Sequence, residues 1–219
     1  MLEKLKLKLL SSILICYFKR HQYLRLNGLV LAKFESVFSP KYTVATRLIL
    51  NYLSKHVPER RVTADVGTGC GVIGLYYAKE RRGFIILTDI SINAIRNAKE
   101  NARSNKLTSL VDLVVADTLM PFRRNSIGLV LSNPPFLPIK INERNITIAA
   151  GENLETLRKL ILTANQALKR GGLIVFTIST LSGIEEVKEI LARNNLKFSI
   201  KTCRRGLFDR ICLIEAVKQ

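Results

Sequence analysis

The segment Ser132-Asn133-Pro134-Pro135-Phe136 combines residue types that suit reaction at a weakly nucleophilic nitrogen. The two prolines hold the backbone extended and bias Asn133 away from helix. The Asn133 carboxamide and the Pro134 carbonyl can then both accept hydrogen bonds from a planar NH2 group. Two such acceptors favour the pyramidal nitrogen that forms during attack, which is stabilisation specific to the transition state. Phe136 offers a flat face on which a base or an amide can stack.

A glycine-rich stretch, Asp65-Val66-Gly67-Thr68-Gly69-Cys70-Gly71, follows a short apolar run. Glycines at alternate positions let the backbone turn sharply and approach a ligand without a Cβ in the way. Residues 69–74 also match the dinucleotide fingerprint GxGxxG, which makes a nucleotide-dependent oxidoreductase an alternative. That alternative leaves the Asn133 segment unexplained, and no hydride-transfer partner is evident.

Three aspartates end successive predicted strands, namely Asp65, Asp89 and Asp117. Asp89 comes about twenty residues after Gly69, where an acid can accept hydrogen bonds from ribose hydroxyls. Asp117 is placed to reach an adenine amine. The alternative for each single Asp is that it caps the helix or turn that follows.

Strand and helix patterns alternate from Arg61 onward, which predicts an α/β fold with a mostly parallel sheet and helices on both faces. Ligands bind such sheets at the carboxyl ends of the strands. The predicted strands are 62–66, 84–87, 111–116, 127–131, 173–177, 198–202 and 211–217. The predicted helices are 43–57, 71–79, 91–105, 155–168 and 184–193, the fourth stopped by Gly171-Gly172.

The N-terminal part is predicted to be an extension, residues 1–41, on a domain that covers residues 42–219. Asn27-Gly28 between two alternating apolar runs predicts a hairpin over residues 23–33. The basic, largely apolar stretch before it, including Leu9–Phe18, is too short to span a bilayer and is interpreted as an amphipathic helix.

The charge balance indicates a polyanionic partner. Lys and Arg number 35 against 17 Asp and Glu, a formal net charge of +18. RNA or a ribosome-bound protein fits such an excess, whereas a solvated basic surface is the alternative. The basic pairs Arg60-Arg61, Arg123-Arg124 and Arg204-Arg205, together with Lys4–Lys8, could form one funnel for phosphates. A non-catalytic RNA-binding module would also explain the charge, but not the Asn133 segment.

The cysteines Cys16, Cys70, Cys203 and Cys212 form no CxxC pair and have no nearby histidine, so no metal site is expected. They are interpreted as four reduced thiols of a cytoplasmic protein.

Residues 37–180 resemble the class I S-adenosylmethionine-dependent methyltransferases of the small-domain group that carry an N-P-P-[FY] motif. Asp65–Gly71, Thr88-Asp89-Ile90-Ser91 and Asn133–Phe136 are similar to the HemK-type release-factor glutamine methyltransferases, as is the stretch from Ala149 to Leu154. Val37-Phe38-Ser39-Pro40 and Thr46-Arg47-Leu48 are similar to ribosomal RNA guanine methyltransferases of the RsmC type.

The resemblance implies a Rossmann-like sheet of seven strands, mostly parallel, with an antiparallel last strand and S-adenosylmethionine as cofactor. It implies catalysis at Asn133, Pro134 and Phe136. The residues expected to contact the cofactor are Asp65, Gly67, Thr68, Gly69, Gly71, Asp89, Ile90, Asp117, Thr118 and Asn133.

Two substrates remain open. The glutamine amide of a translation release factor is favoured, and an exocyclic amine of guanine or adenine in ribosomal or transfer RNA is the alternative. An association with the ribosome and a small activating partner are compatible with both. The chain departs from the bacterial glutamine methyltransferases in having only about forty residues before the domain, where those enzymes have a larger helical region. It also has Phe136 where they usually have Tyr.

Overall fold

A seven-stranded sheet forms the centre of the computed structural model, which describes residues 22–35, 37–38, 43–56, 62–142, 148–206 and 209–219. The strand order is β5-β4-β3-β6-β7-β9-β8, and β9 runs in the opposite direction to the other six strands. The predicted helix within residues 1–20 lies outside the described part. The strands of this sheet are β3 (Thr63–Val66), β4 (Ile85–Asp89), β5 (Val111–Val115), β6 (Ile127–Ser132), β7 (Leu168–Ser179), β8 (Leu196–Arg205) and β9 (Arg210–Lys218).

Helices cover both faces of the sheet, which confirms the predicted architecture. Leu129 and Leu131 of β6 face one apolar core, which three helices and an N-terminal hairpin complete. Val130 between them faces a second core, completed by two helices, as expected when successive strand residues point to opposite faces. The helices are α1 (Val44–Lys55), α2 (Val72–Arg81) and α3 (Ile92–Ser104) on the first face, and α4 (Glu155–Ala167) and α5 (Ile184–Arg193) on the second.

The predicted N-terminal hairpin is confirmed as β1 (Gln22–Leu26) and β2 (Leu29–Lys33). Its two turn residues, Asn27 and Gly28, have φ of 47° and 74°. Positive φ at both central residues is what the two-residue turn that matches strand twist requires.

Side-chain amides of α3 and of Asn105, the residue that follows it, fasten this hairpin to the domain. Asn97, Asn101 and Asn105 stand four residues apart, and each bonds through both amide atoms to the backbone of β2 or the residue after it. The carboxamide oxygens accept from the backbone N–H groups of Phe34 (2.9 Å), Ala32 (2.7 Å) and Val30 (2.9 Å), and the amide nitrogens donate to the carbonyls of Ala32 (2.7 and 2.8 Å) and Val30 (2.7 Å).

The spacing of these asparagines matches the repeat of a strand. Four helical residues advance about 6 Å, and two strand residues advance about 6.6 Å. An asparagine at every fourth position of α3 therefore meets every second residue of β2. The asparagine side chains thus bond to the backbone N–H and C=O groups along the open edge of β2, which a third strand would otherwise pair.

The fourth helix is predicted to within one residue, but the role of Gly171-Gly172 as its stop signal is wrong. Helix α4 ends at Ala167, and β7 begins at once at Leu168, so Gly171-Gly172 lie inside a strand. Ile127 pairs with Leu168 but Leu129 pairs with Leu173, so β7 carries extra residues at this point. Glycines are common stop signals for helices, but here they lie in an irregular stretch of strand pairing.

The prediction of four reduced cysteines is also wrong. Cys203 of β8 and Cys212 of β9 are bonded to each other. They are direct partners across the antiparallel pair, with Cα atoms 4.1 Å apart. Spacing rules for metal ligands ignore such pairing, because two cysteines of one hairpin become neighbours only once its register is set. Cys70 is free and buried, and Cys16 lies outside the described residues.

No helix within the described ranges is long and apolar enough to cross a membrane. The same ranges contain no group of three or more side chains suited to hold a metal ion.

We predict that Asn101→Ala lowers the free energy of unfolding by about 2–4 kcal/mol, because it removes the partners of the Ala32 N–H and of the buried Cys70 carbonyl. Asn105→Ala is the matched control, since its contacts with the hairpin are exposed; it should cost about 1 kcal/mol or less. Urea unfolding of both variants measures the difference. Equal losses would contradict the proposed role of the buried amide.

Candidate active site

The carboxyl ends of β3, β6 and β7 lie next to one another. Ser132 at the end of β6 pairs with Val66 of β3 and with Phe176 of β7. Its hydroxyl also donates to the Val66 carbonyl at 2.8 Å. Because these strands are parallel, the residues that follow the paired positions lie side by side at one edge of the sheet; they are Gly67, Asn133 and Thr177.

The glycine turn after β3 combines an open side with a packed side. Gly67 has a φ of 69°, and a Cβ added to it would meet no atom within 4 Å. Space for a ligand is therefore present beside Gly67. A Cβ on Gly71 would lie 3.1 Å from Leu75, and one on Gly74 would overlap Leu87. Gly74 thus allows α2 to pack closely on the sheet, and Gly71 allows the close approach of Ala98 of α3.

Asp65 is fully buried beneath this turn. Its Oδ2 accepts hydrogen bonds from the Thr68 hydroxyl (2.7 Å) and the Gly74 N–H (2.9 Å). Its Oδ1 is buried and has no hydrogen-bond partner among the described residues. Burial raises the pKa of Asp65 to about 6. A buried carboxylate oxygen without a donor fits a bound ligand that carries N–H groups.

Thr68 supports Asp65 with its side chain. Its hydroxyl is buried and bonded to Asp65, and its N–H and that of Gly67 both donate to the Thr88 carbonyl at 2.9 Å. The structure thus gives Thr68 a positioning role that the sequence did not reveal. Its direct contact with a cofactor stays a prediction.

Asp89 ends β4 and closes the other side of the glycine turn. Its two carboxylate oxygens accept from the N–H groups of Gly69 and Ser91, each at 2.9 Å. Burial raises the pKa of Asp89. Each oxygen keeps a further lone pair, so the predicted bond to a ribose hydroxyl remains geometrically open. Ile90 beside it is 57% exposed and presents apolar surface at the rim of the site.

Asp117 lies two residues beyond the end of β5, one residue further from the strand than predicted, and forms an ion pair with Lys159 of α4. The pair is partly exposed, so its value for stability is small. Thr118 has a φ of 56°, and its hydroxyl donates to the Asp117 carbonyl at 2.6 Å. Sequence reasoning missed Lys159 because nothing in the spacing joins the two residues, which are 42 positions apart.

The Asn133 carboxamide lies at the site and is not directed into an apolar core. Its Oδ1 accepts a hydrogen bond of 2.7 Å from the hydroxyl of Thr177, which sequence reasoning also missed. A signal for it exists, because Thr177 is a polar residue inside the apolar run of β7, between Phe176 and Ile178.

Phe136 belongs to a small apolar cluster beyond the sheet edge. Pro134 is buried, and Phe136 is half-buried. The Phe136 carbonyl accepts from the Ser182 hydroxyl at 2.7 Å. The neighbours of Phe136 in this cluster are Leu137, Ile148, Phe38, Ile139 and Leu181. The cluster forms an apolar wall beside Asn133, on which a flat group can pack.

The predicted basic funnel does not exist as one surface. Arg123 and Arg124 precede β6 and lie at the amino edge of the sheet, whereas Arg204 and Arg205 end β8 at the carboxyl edge. Charges far apart in sequence share a face only if the topology brings them there, which spacing alone does not show. Lys4–Lys8 and Arg60-Arg61 lie outside the described residues.

The sheet order, the antiparallel β9, the glycine turn after β3 and the acid at the end of β4 define the fold of class I S-adenosylmethionine-dependent methyltransferases. Residues 29–203 match the methyltransferase small domain family. The match covers most of the chain, and the chain belongs to this family.

Known relatives include both kinds of enzyme that the sequence resembles. The chain is 29% identical to a release factor glutamine methyltransferase of Bacillus cereus over 65% of this chain and 55% of that protein. It is 29% identical to a ribosomal RNA small subunit methyltransferase C of Actinobacillus succinogenes over 55% of this chain and 35% of that protein. The chain thus spans about half the length of the glutamine methyltransferase it matches.

One solved structure shares the fold of this chain along nearly the whole length of the solved protein. It is the E. cuniculi Mtq2–Trm112 complex, responsible for methylation of the eRF1 translation termination factor. The TM-score is 0.67 at 21% identity, over 84% of this chain and 99% of that chain.

We predict that Asp65 makes the ligand-free protein less stable as pH rises through about 6. The folded-state pKa exceeds the unfolded value of about 3.9, so the contribution is complete below pH 3.9 and is lost above the folded pKa. The loss is of order 3 kcal/mol.

The Asp65→Asn variant is the control, since it keeps the shape and removes the titration. Urea unfolding of both proteins from about pH 4 to pH 8 gives their difference in stability. As the pH increases, the wild type should lose stability relative to Asp65→Asn. A difference independent of pH would contradict the prediction.

Proposed function

We propose that this chain is an S-adenosylmethionine-dependent methyltransferase that acts on a planar NH2 nitrogen, the glutamine amide of a translation release factor. The observation that carries the proposal is the position of the Asn133 carboxamide, bonded to Thr177 and adjacent to the open glycine turn. Membership of the methyltransferase small domain family supports it.

The residues at the glycine turn fit this cofactor. The space beside Gly67, the unpartnered Oδ1 of Asp65 and the spare lone pairs of Asp89 suit its amino-acid and ribose parts. Ile90 and Asp117 would contact the adenine. When bound, S-adenosylmethionine supplies an electrophilic methyl carbon.

Asn133 and Pro134 act on the substrate nitrogen. The lone pair of an amide nitrogen is delocalised, so the nitrogen attacks poorly while it is planar. Asn133 Oδ1 and the Pro134 carbonyl accept hydrogen bonds from the two N–H groups of the substrate nitrogen and favour its pyramidal, cationic form. No strong base is required, because the proton can leave after the nitrogen has become cationic.

The protein substrate is supported by the names of two similar proteins. The Bacillus cereus relative is a release factor glutamine methyltransferase, and the E. cuniculi complex methylates a translation termination factor. A small partner protein, as in that complex, belongs to the same proposal. The proposal also includes a cytoplasmic location and an association with the ribosome.

We expect Asn133→Ala to lower the turnover number at least about 100-fold, because a preorganised acceptor is lost at the reacting nitrogen. Affinity for S-adenosylhomocysteine should persist. Transfer of labelled methyl to recombinant unmethylated release factor measures turnover, and calorimetry measures cofactor binding. Asn51→Ala, on the exposed face of α1, is the control. Full activity of Asn133→Ala would end the catalytic assignment.

A second candidate function is methylation of an exocyclic amine of an RNA base. Arg204, Arg205 and Arg210 are exposed, and none of them forms an ion pair with a described residue. Strand β8 runs parallel to β7 and β9 runs antiparallel, so the end of β8 and the start of β9, with these arginines, lie at the same edge as Asn133. Three strand spacings, roughly 14 Å, separate β8 from β6. This distance suits phosphates that flank a base bound at Asn133.

If RNA is the substrate, removal of both Arg204 and Arg205 by substitution with Ala should weaken RNA binding and reduce its salt dependence. The slope of log K against log salt should fall by about 1.5–2, as two phosphate contacts are lost. The Arg123→Ala/Arg124→Ala protein is the matched control, with the same charge loss at the opposite edge. Equal effects in both proteins, or a flat salt response of the wild type, would count against this candidate.

A further inference from the structure

Thr177 is the side chain that fixes the Asn133 carboxamide. It is 3% exposed, and it lies on β7 among apolar neighbours. Burial of a hydroxyl is costly without a hydrogen bond, and the partner of Thr177 is Asn133 Oδ1 at 2.7 Å. Within the described residues, no other group forms a hydrogen bond with the Asn133 side chain.

The orientation of a carboxamide matters at such a site. Rotation about its last bond exchanges an acceptor oxygen for a donor NH2 group. A substrate NH2 needs an acceptor, and a second NH2 group facing it would repel it. The two prolines after Asn133 constrain the backbone and leave this side-chain rotation free. A separate contact must therefore select the orientation.

The strand register places Thr177 where it can make this selection. Asn133 follows Ser132, which lies between Val66 of β3 and Phe176 of β7. Thr177 therefore approaches Asn133 from the β7 side, whereas the open glycine turn lies on the β3 side. The Thr177 hydroxyl occupies one lone pair of Oδ1 and leaves the second for a substrate N–H.

We propose that Thr177 is a positioning residue for methyl transfer, which holds the Asn133 carboxamide with its oxygen available to the attacking nitrogen. The inference rests on the proposed function, and it assigns to β7 a direct part in the reaction geometry. Thr177 itself need not touch the substrate or the cofactor.

Replacement by Val and by Ser separates the hydroxyl from the shape of the side chain. Thr177→Val removes the donor and keeps the branched shape, and it should lower the turnover number about 3- to 10-fold, the worth of one hydrogen bond. Thr177→Ser keeps the hydroxyl and should retain most of the turnover. The dissociation constant for S-adenosylhomocysteine should not change in either variant. The substrate is recombinant unmethylated release factor, or the RNA if that is the methylated class.

Thr163→Val controls for the loss of a buried hydroxyl as such. Thr163 is also buried, but its hydroxyl bonds to the backbone of its own helix, α4, at 2.9 Å. This variant should keep the turnover number of the wild type.

A double-mutant cycle with Asn133→Asp distinguishes positioning from general support of the fold. Either oxygen of a carboxylate accepts a hydrogen bond, so orientation by Thr177 is no longer needed. At about pH 8, where the new carboxylate is ionised, Thr177→Val should therefore change the turnover of the Asn133→Asp protein by less than twofold. If Asn133→Asp has no measurable turnover, the comparison of Val with Ser decides.

The outcomes separate this inference from the proposed function. A wild-type chain that methylates neither release factor nor RNA would remove the proposed function. An active wild type with an equally active Thr177→Val variant would overturn the inference alone. So would equal losses in the Val and Ser variants, or the same loss from Thr177→Val in the wild-type and Asn133→Asp backgrounds.

Discussion

The pairing of Ser132 with both Val66 and Phe176 is the constraint on which the site depends. It fixes the register of three parallel strands, and a shift by one residue would turn each side chain to the opposite face. After such a shift, Asn133 would no longer lie between the glycine turn and Thr177. The buried bond from the Ser132 hydroxyl to the Val66 carbonyl holds β3 and β6 together at the last rung before the site.

A second connection extends this order to the hairpin. The Asn101 amide nitrogen donates to the Cys70 carbonyl of the glycine turn at 2.8 Å as well as to Ala32 of β2. The same amide therefore joins α3, the hairpin and the turn. Val37, which follows the hairpin, lies 3.7 Å from the position of a Cβ on Gly69. A docked hairpin thus covers part of the turn, and the Asn101 side chain couples the hairpin to the shape of the site.

The sequence predicted what depends on local patterns. The strand ends at Asp65 and Asp89, the Asn27-Gly28 turn and the mixed sheet all follow from periodicity, turn chemistry and resemblance. It did not predict Thr177, Lys159 or the Cys203–Cys212 bond, because each contact joins segments that only the sheet order brings together. Gly171-Gly172 were wrongly interpreted as the stop signal of α4, because glycines that interrupt strand pairing look the same in sequence as glycines that stop a helix.

Neutral and charged groups have separate tasks at this edge of the sheet. Asp65 and Asp89 receive protein N–H and O–H groups, and burial raises the pKa of both. A carboxylate at position 133 would be partly desolvated, and whenever it is protonated it presents a donor where the reaction needs an acceptor. A carboxamide keeps its acceptor at every pH, but it can rotate and present nitrogen instead. The hydroxyl of Thr177 prevents that rotation, so the neutral amide keeps its oxygen directed at the weakly nucleophilic nitrogen.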